Sequence, residues 1–490
     1  MFRDQTQSVA TRSQANASSS SSQSFSISKR GEPRTQSGRA APNQHDNSLM
    51  TLTSLRSWSP SGNEQATAFF LSNFVLGADG PTEGHLEHIR HVNYEVDEHL
   101  LASMKAVGFA GLSGFFNDPA LLVDARKQYV TAVRRTNVAL RSPDQVKQNS
   151  TLLAVLILSL FERVAGSDNE SLIGYEHHVK GAAAILKVRG REQLISLEGR
   201  HMFVQVTSNL LAHCMLREMH IPTPILELRE EPLIRADVAR SESMQVLDTT
   251  ITFTEFNACV KDGSIADPES IVAQALEIDR DFQKIFVKPP MSWRYKTVYD
   301  ANGDPRAIFA GCYHEYESVW TARMWNIFRS VRLSLHKVIR DTLLNTISPS
   351  LPCSVSLGYS AQLLESREVM RTMQADILAS VPEYMGRNFS QPWISDFQHA
   401  NSRPHSVGEG ALGKQPERVG TPINNSPLKG KMITRGQYII FPLFKAGMVD
   451  MDQTTKAGRL WSIQMLQYIG QVVGIRQALV FAAIISGSDQ

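Results

Sequence analysis

The stretch that decides the fold is residues 150–166, STLLAVLILSLFERVAG, followed at residues 174–194 by GYEHHVKGAAAILKVRGREQL. The first segment is apolar on every face for about one helix length, which is typical of a helix buried on all sides. The second places its apolar side chains on one helical face: Tyr175, Val179, Ala182, Ala183 and Leu186. Gly190 follows two basic residues and is a typical helix C-cap. Two adjoining helices of this kind predict the interior of an all-α domain.

Helical patterns recur along most of the chain. They predict further helices over about 118–141, 199–216, 268–286, 306–346, 359–381, 454–470 and 475–486. The run Ser142-Pro143-Asp144-Gln145 predicts a helix start, with Ser as N-cap and Pro at the first helical position. Alternating strand patterns are scarce, and Met244–Phe253 is the weakest of them. The pattern favours an all-α protein.

Composition divides the chain into an arm and a body. Residues 1–63, with the run SSSSSQSFSIS, are rich in Ser and Gln, and such a segment buries too little apolar surface to offset chain entropy. We expect a disordered arm there and one large helical-array domain over residues 64–490. The Gly-, Pro- and Asn-rich residues 399–431 predict a flexible loop within that domain.

Charge and cysteines exclude several classes of protein. Residues 1–60 hold seven Lys/Arg against three Asp/Glu, more than the net charge of +2 of the whole chain. The rest of the chain is therefore slightly acidic, which suits it poorly to binding nucleic acid. The cysteines lie far apart and predict reduced thiols rather than a disulfide framework: Cys214, Cys259, Cys312 and Cys353. The longest apolar run contains Glu162 and Arg163 and is shorter than the roughly 20 residues of a membrane span. We therefore expect an intracellular protein without a transmembrane segment.

The phrases TLLAVLILSLFE and EHHVKGAAAILKVRGREQL resemble the helical regulatory domain of fungal zinc-cluster (Zn2Cys6) transcription factors, in the branch called fungal-specific transcription factor domain 2. Other phrases agree in the same order: QATAFFLSNFV, RKQYVTAVRRTNVALRSPDQVKQNSTLLAV, YIIFPLFKAG and IGQVVGIRQAL. The resemblance covers about residues 64–490. It implies an all-α regulatory domain in a nuclear regulator of a metabolic gene set.

One departure from the family concerns the zinc cluster. Family members usually carry six closely spaced cysteines ahead of this domain. Residues 1–213 contain no cysteine, and the arm offers only His45 as a zinc ligand. We expect no zinc or other cofactor in this chain, with zinc only if an upstream cluster segment exists. Direct sequence-specific DNA binding is not expected.

Histidines and carboxylates supply the candidate metal sites. His85, His88 and His91 are more typical of a solvated helix face than of a metal site. His177-His178 is typical of a histidine at a helix start that bonds a neighbouring backbone. Two carboxylate series bear on an all-α enzyme acting on prenyl diphosphates with Mg²⁺: Glu277-x-Asp279-x-Asp281 and Asp450-x-Asp452. Residues two apart on a helix diverge by about 200°, which argues against a shared metal.

Other candidates concern regulation. A basic cluster in the arm is either a nuclear-import or phosphate-contact patch or an incidental charge: Lys29, Arg30, Arg34 and Arg39. Three pairs are candidate phosphorylation sites: Ser59-Pro60, Thr421-Pro422 and Ser426-Pro427. Within Gly311–Ile339, a stripe at helical spacing is either core packing or the wall of an apolar ligand pocket or partner groove: Trp320, Met324, Ile327, Phe328 and Val331.

These observations predict a transcriptional regulator without catalytic, cofactor-binding or metal-binding residues. We expect it in the nucleus, with or without a cytoplasmic pool. Its expected partners are the transcriptional machinery or a DNA-binding partner, and a homodimer, a heterodimer and a small-molecule effector are each compatible with the resemblance. Two alternatives are a helical protein–protein adaptor without a transcriptional role and an all-α metabolic enzyme.

Overall fold

The fold is taken from a computed structural model of the 490-residue chain. It describes residues 61–75, 89, 97–347, 353–386, 432–433 and 435–487. Nearly all of the arm (all but residues 61–63) and all of the loop predicted at 399–431 lie outside these residues. The first described helix begins at Gly62, where Ser61 and Glu64 form a capping box, two residues before the predicted start of the body.

The two segments that decide the fold form adjoining helices, as predicted. Every residue from Ser150 to Ala165 apart from Arg163 is buried, so the first helix is enclosed on nearly all sides. In the second helix the five predicted apolar positions are all buried. Asp168 caps its start by accepting a hydrogen bond from the Ser171 backbone, and Gly190 ends it with φ of 66°.

The described elements are mostly helices, so the all-α prediction is confirmed. In chain order the helices are α1 Gly62–Phe70, α2 Glu98–Phe116, α3 Pro119–Arg141, α4 Asn149–Ala165, α5 Asn169–Arg189, α6 Leu197–Arg217, α7 Thr223–Arg229, α8 Pro232–Arg240, α9 Glu242–Asp262, α10 Pro268–Val287, α11 Val319–Thr346, α12 Cys353–Met385, α13 Ile440–Gly447, α14 Gln453–Tyr468 and α15 Gln477–Gly487. Tyr295–Tyr299 (β1) and Cys312–Tyr316 (β2) form an antiparallel pair before α11.

Two hydrophobic clusters hold the helices together. The larger one joins the first six helices to the C-terminal ones, and includes Leu153 of α4, Phe203 of α6 and Leu443 of α13. The smaller cluster lies among α9, α10 and α11, with Phe253 and Phe282 fully buried in it. The segment before α15 contacts the end of α4, where the Arg476 backbone N–H donates to the Val164 carbonyl at 3.1 Å.

Three local predictions are wrong. Met244–Phe253 is helical, because Val246, Thr250 and Phe253 bury one helical face that overrides the strand preference of its Thr and Val residues. The helix predicted from 306 begins at Val319, since Ala310 and Gly311 adopt positive φ and the next residues pair as β2. The Ser142–Gln145 run starts only a short 3₁₀ turn, and α4 begins at Asn149.

Candidate functional site

A buried polar cluster joins α3, α4 and α5 through Tyr129, Glu162 and His178. The Tyr129 hydroxyl donates to Glu162 Oε1 at 2.5 Å and lies 2.8 Å from His178 Nε2. Burial lowers the pKa of His178 to about 3, so its ring is neutral near pH 7. With the tyrosine proton directed at the carboxylate, the pattern requires that Nε2–H of His178 donates to the tyrosine oxygen. All three side chains are buried, and the cluster joins the three helices.

The structure revises the interpretation of the histidine pair. His178 lies within α5 rather than at its start, and its Nε2 bonds the Tyr129 hydroxyl. The neighbouring Glu162 side chain packs against Gly174, where an added Cβ would lie 2.5 Å from Glu162 Oε1. Gly174 is therefore required by the close approach of α4 and α5.

The carboxylates of α10 do not meet at one place. Asp279 is buried and receives two hydrogen bonds from Arg332, at 2.6 and 3.0 Å, with His336 Nε2 at 3.3 Å. Burial raises the pKa of Asp279, but the hydrogen bonds from His336 and Arg332 outweigh it and hold the pKa at about 2. Asp281 is exposed and pairs with Lys284 at 2.6 Å. Asp279 is thus the partner of an arginine, with its charge already compensated.

The second carboxylate series serves a helix start. Asp452 caps α14 by accepting from the Thr455 backbone at 3.0 Å, and it also pairs with Arg371 at 2.8 Å. Hydrogen bonds from Thr455 and Arg371 lower its pKa to about 2. Asp450 is exposed. Among the described residues no group of three or more His, Cys, Asp and Glu side chains is placed to hold a metal ion.

Several sequence candidates lie outside the described residues. They are the histidines His85, His88 and His91, the basic cluster of Lys29, Arg30, Arg34 and Arg39, His45, and the pairs Ser59-Pro60, Thr421-Pro422 and Ser426-Pro427. Of the cysteines, Cys214, Cys259 and Cys312 are free thiols. None of the described helices combines the length and apolarity that crossing a bilayer requires.

The aromatic stripe of α11 divides between core and cavity. Phe328 and Val331 are buried in the smaller hydrophobic cluster, where Phe328 stacks on Phe286 with ring centroids 4.3 Å apart. Met324 belongs to the same cluster, Trp320 and Ile327 pack against it, and all three also line a cavity of about 710 Å³. Core packing is confirmed for the buried members of the stripe, and the role of the cavity as a ligand pocket stays a prediction.

This interhelical cavity is bounded by α6, α8, α9 and α11, by Arg163 of α4 and Tyr175 of α5, and by residues 437–442 at the start of α13. Its volume falls within the range of about 300–1,000 Å³ typical of small-molecule sites. Apolar side chains form much of the wall: Met215, Met244, Val246, Leu247, Trp320 and Phe441. The charged side chains are four arginines and one aspartate: Arg163, Arg200, Arg240, Arg323 and Asp237. The cavity is thus apolar with an excess of positive charge.

Sequence reasoning missed most of the wall. It did not select Arg163, which lines the cavity and is the one residue between Ser150 and Ala165 that is not buried. A signal was present, since an arginine inside an otherwise apolar helix must reach either a partner or a polar space. The lining residues of α6, α8 and α9 have no comparable signal in the sequence, because these helices come together only in the folded chain.

The fold and its cavity define an all-α domain without a recognisable catalytic centre in the described residues. Residues 93–246 match the model of a family described as fungal specific transcription factor domain. The resemblance of the sequence to that family is confirmed over this segment, which extends from just before α2 into α9. Over these residues the chain is similar to a domain of transcriptional regulators. No curated protein and no solved structure matches it.

Proposed function

We propose that this chain is a transcriptional regulator whose helical body responds to a small molecule and controls a metabolic gene set in a fungal nucleus. The observation that carries the regulatory role is the match of residues 93–246 to the fungal transcription factor domain. The cavity supports the responsive part, because two of its walls, α6 and α8, lie within the matched segment.

A ligand in this cavity would connect distant parts of the chain. The cavity wall combines α6 and α8 with α11 and with residues 437–442 near the C-terminus. A molecule that contacts all of these helices stabilises the packing in which they surround it. It shifts the population toward that packing in proportion to its difference in affinity for the two states.

We propose that DNA is contacted through a partner or an additional segment, since the first 213 residues contain no cysteine and hence no zinc-cluster ligands of the usual kind. In a mobility-shift assay at physiological salt, the purified chain should bind DNA weakly and without sequence preference. A sequence-specific complex that persists at that salt concentration would contradict this part of the proposal.

A tethering experiment tests the regulatory role. The full chain is fused to an unrelated DNA-binding domain, and a reporter with the cognate site is measured against the unfused chain. A regulator changes reporter output only when tethered, and deletion of its gene changes transcript levels. A chain that stays in the cytoplasm, leaves the reporter unchanged and leaves transcripts unchanged would instead be an adaptor without a transcriptional role.

A further inference from the structure

Polar atoms without partners lie in the wall of the interhelical cavity. Arg163 Nε, Ser330 Oγ and Gln437 Oε1 are buried, and each has no hydrogen-bond partner among the described residues. Ser330 is only 3 % exposed. A buried polar atom without a partner costs about 1–3 kcal/mol, so three of them around one space require an explanation.

The other polar groups of the cavity differ from these three. Arg200 pairs with Asp237 at 2.9 Å and also donates to the Leu194 carbonyl at 3.0 Å. The guanidinium of Arg323 lies 4.9 Å from the centre of the Tyr438 ring. Asp237, the only carboxylate among the described residues that line the cavity, is therefore already paired with Arg200. Arg163 therefore lines a cavity whose described wall offers no free negative charge.

We infer that the cavity binds a small organic acid with an apolar body, and that Arg163 is the counter-ion of its carboxylate. The inference rests on the proposed function and specifies its effector. The Arg163 guanidinium and the Ser330 hydroxyl become donors for an anionic group when their side chains turn toward the cavity, and a guanidinium is well suited to a carboxylate. The Gln437 amide either accepts from or donates to the ligand, depending on how it is turned. The apolar body contacts Trp320 and Ile327.

The apolar wall explains why the ligand is not a simple inorganic anion. Methionine and aromatic side chains from α6, α9 and α11 offer contact area rather than hydrogen bonds: Met215, Met244, Trp320 and Met324. Filling this volume with apolar atoms removes them from water, which adds affinity that a phosphate or sulfate ion does not gain. Flexible methionines also adapt to ligands of different shape.

Binding is tested on the full chain with decanoate and 1-decanol, which share an alkyl body and differ in charge. Isothermal titration below the micellar concentration measures both dissociation constants. Decanoate should bind at least about 10-fold more tightly than 1-decanol. R163Q should weaken decanoate binding by about 10- to 100-fold, as expected for a lost charge-assisted hydrogen bond, and leave 1-decanol unchanged. R163K should retain part of the preference.

Two further variants separate the cavity from the rest of the surface. I327W fills part of the cavity and should weaken binding of both probes, whereas R134Q, at an exposed arginine of α3, should change neither. Equal affinity for the two probes, an R163Q variant that binds like the wild type, or no binding of either probe would overturn the inference. The tethered reporter separates failure of this inference from failure of the proposed function. If tethering still changes reporter output, the regulatory role stands without this ligand class.

Discussion

Replacing Asp279 by Asn tests whether the α10 carboxylate is structural or catalytic. Asp279 is 3 % exposed and accepts two hydrogen bonds from Arg332, whose side chain is 14 % exposed. The Asn amide keeps the size of the side chain but supplies no charge and only one oxygen. Arg332 then remains partly buried without its counter-ion. Breaking a buried pair in this way typically costs about 3–5 kcal/mol, and D279N should lose about 3 kcal/mol of unfolding free energy.

D281N is the matched control on the same helix. Asp281 forms an exposed pair with Lys284, and such surface pairs contribute about 0–1 kcal/mol. Urea unfolding followed by circular dichroism should therefore place the D281N midpoint near that of the wild type and the D279N midpoint well below it. If the two variants unfold alike, the buried pair does not stabilise the fold as reasoned. Mg²⁺-dependent turnover of a prenyl diphosphate that both variants lose would restore the enzyme alternative.

The same pair predicts a dependence on pH. The pKa of Asp279 is about 2 in the folded chain against an ordinary value of 3.8, a difference worth about 2 kcal/mol. Because the folded pKa is the lower one, this stability is present above about pH 4 and is lost as pH falls toward 2. The gap between wild type and D279N should therefore narrow in unfolding curves recorded over that range. A gap that stays constant would assign the loss to packing rather than to charge.

Two further predictions concern α4 and its neighbours. G174A should lose about 1–3 kcal/mol, because its Cβ would overlap the Glu162 carboxylate, whereas G358A, with open space around it, should gain up to about 1 kcal/mol. Equal unfolding midpoints for the two variants would contradict this. Y129F should lose about 1–3 kcal/mol because it removes the hydrogen bond from the Tyr129 hydroxyl to the buried Glu162, while R163M should leave the unliganded chain equally or more stable. If R163M destabilises as much as Y129F, Arg163 is structural rather than a ligand contact.

The sequence predicts helices best where local signals act. The predicted 118–141 and 268–286 agree with Pro119–Arg141 and Pro268–Val287 to within one residue at each end. Both helices begin with an aspartate N-cap followed directly by Pro, so the signal for the helix start is carried by two adjacent residues. The β1–β2 pair has no equally strong signal. Its strands are five residues each and are stabilised by each other across a loop, and by packing against α12.

The cavity is less accessible to sequence reasoning, because periodicity shows which residues share a face but not what that face meets. The stripe of α11 runs continuously along the helix, yet Phe328 meets Phe286 of α10 while Ile327 meets an open space. That difference depends on how α10 and α6 approach α11. Local patterns do not encode the approach, so the sequence leaves core and pocket as alternatives.

Glu162 and Arg163 show how a buried helix combines stability with binding. Neighbouring residues on a helix point about 100° apart, so the two charges face different surroundings. Glu162 faces α3 and α5, where Tyr129 donates to it and Gly174 makes room for it. Arg163 faces the cavity, where its Nε has no partner among the described residues. Glu162 is thus bonded within the fold, whereas Arg163 is the residue that would pair with the ligand inferred above.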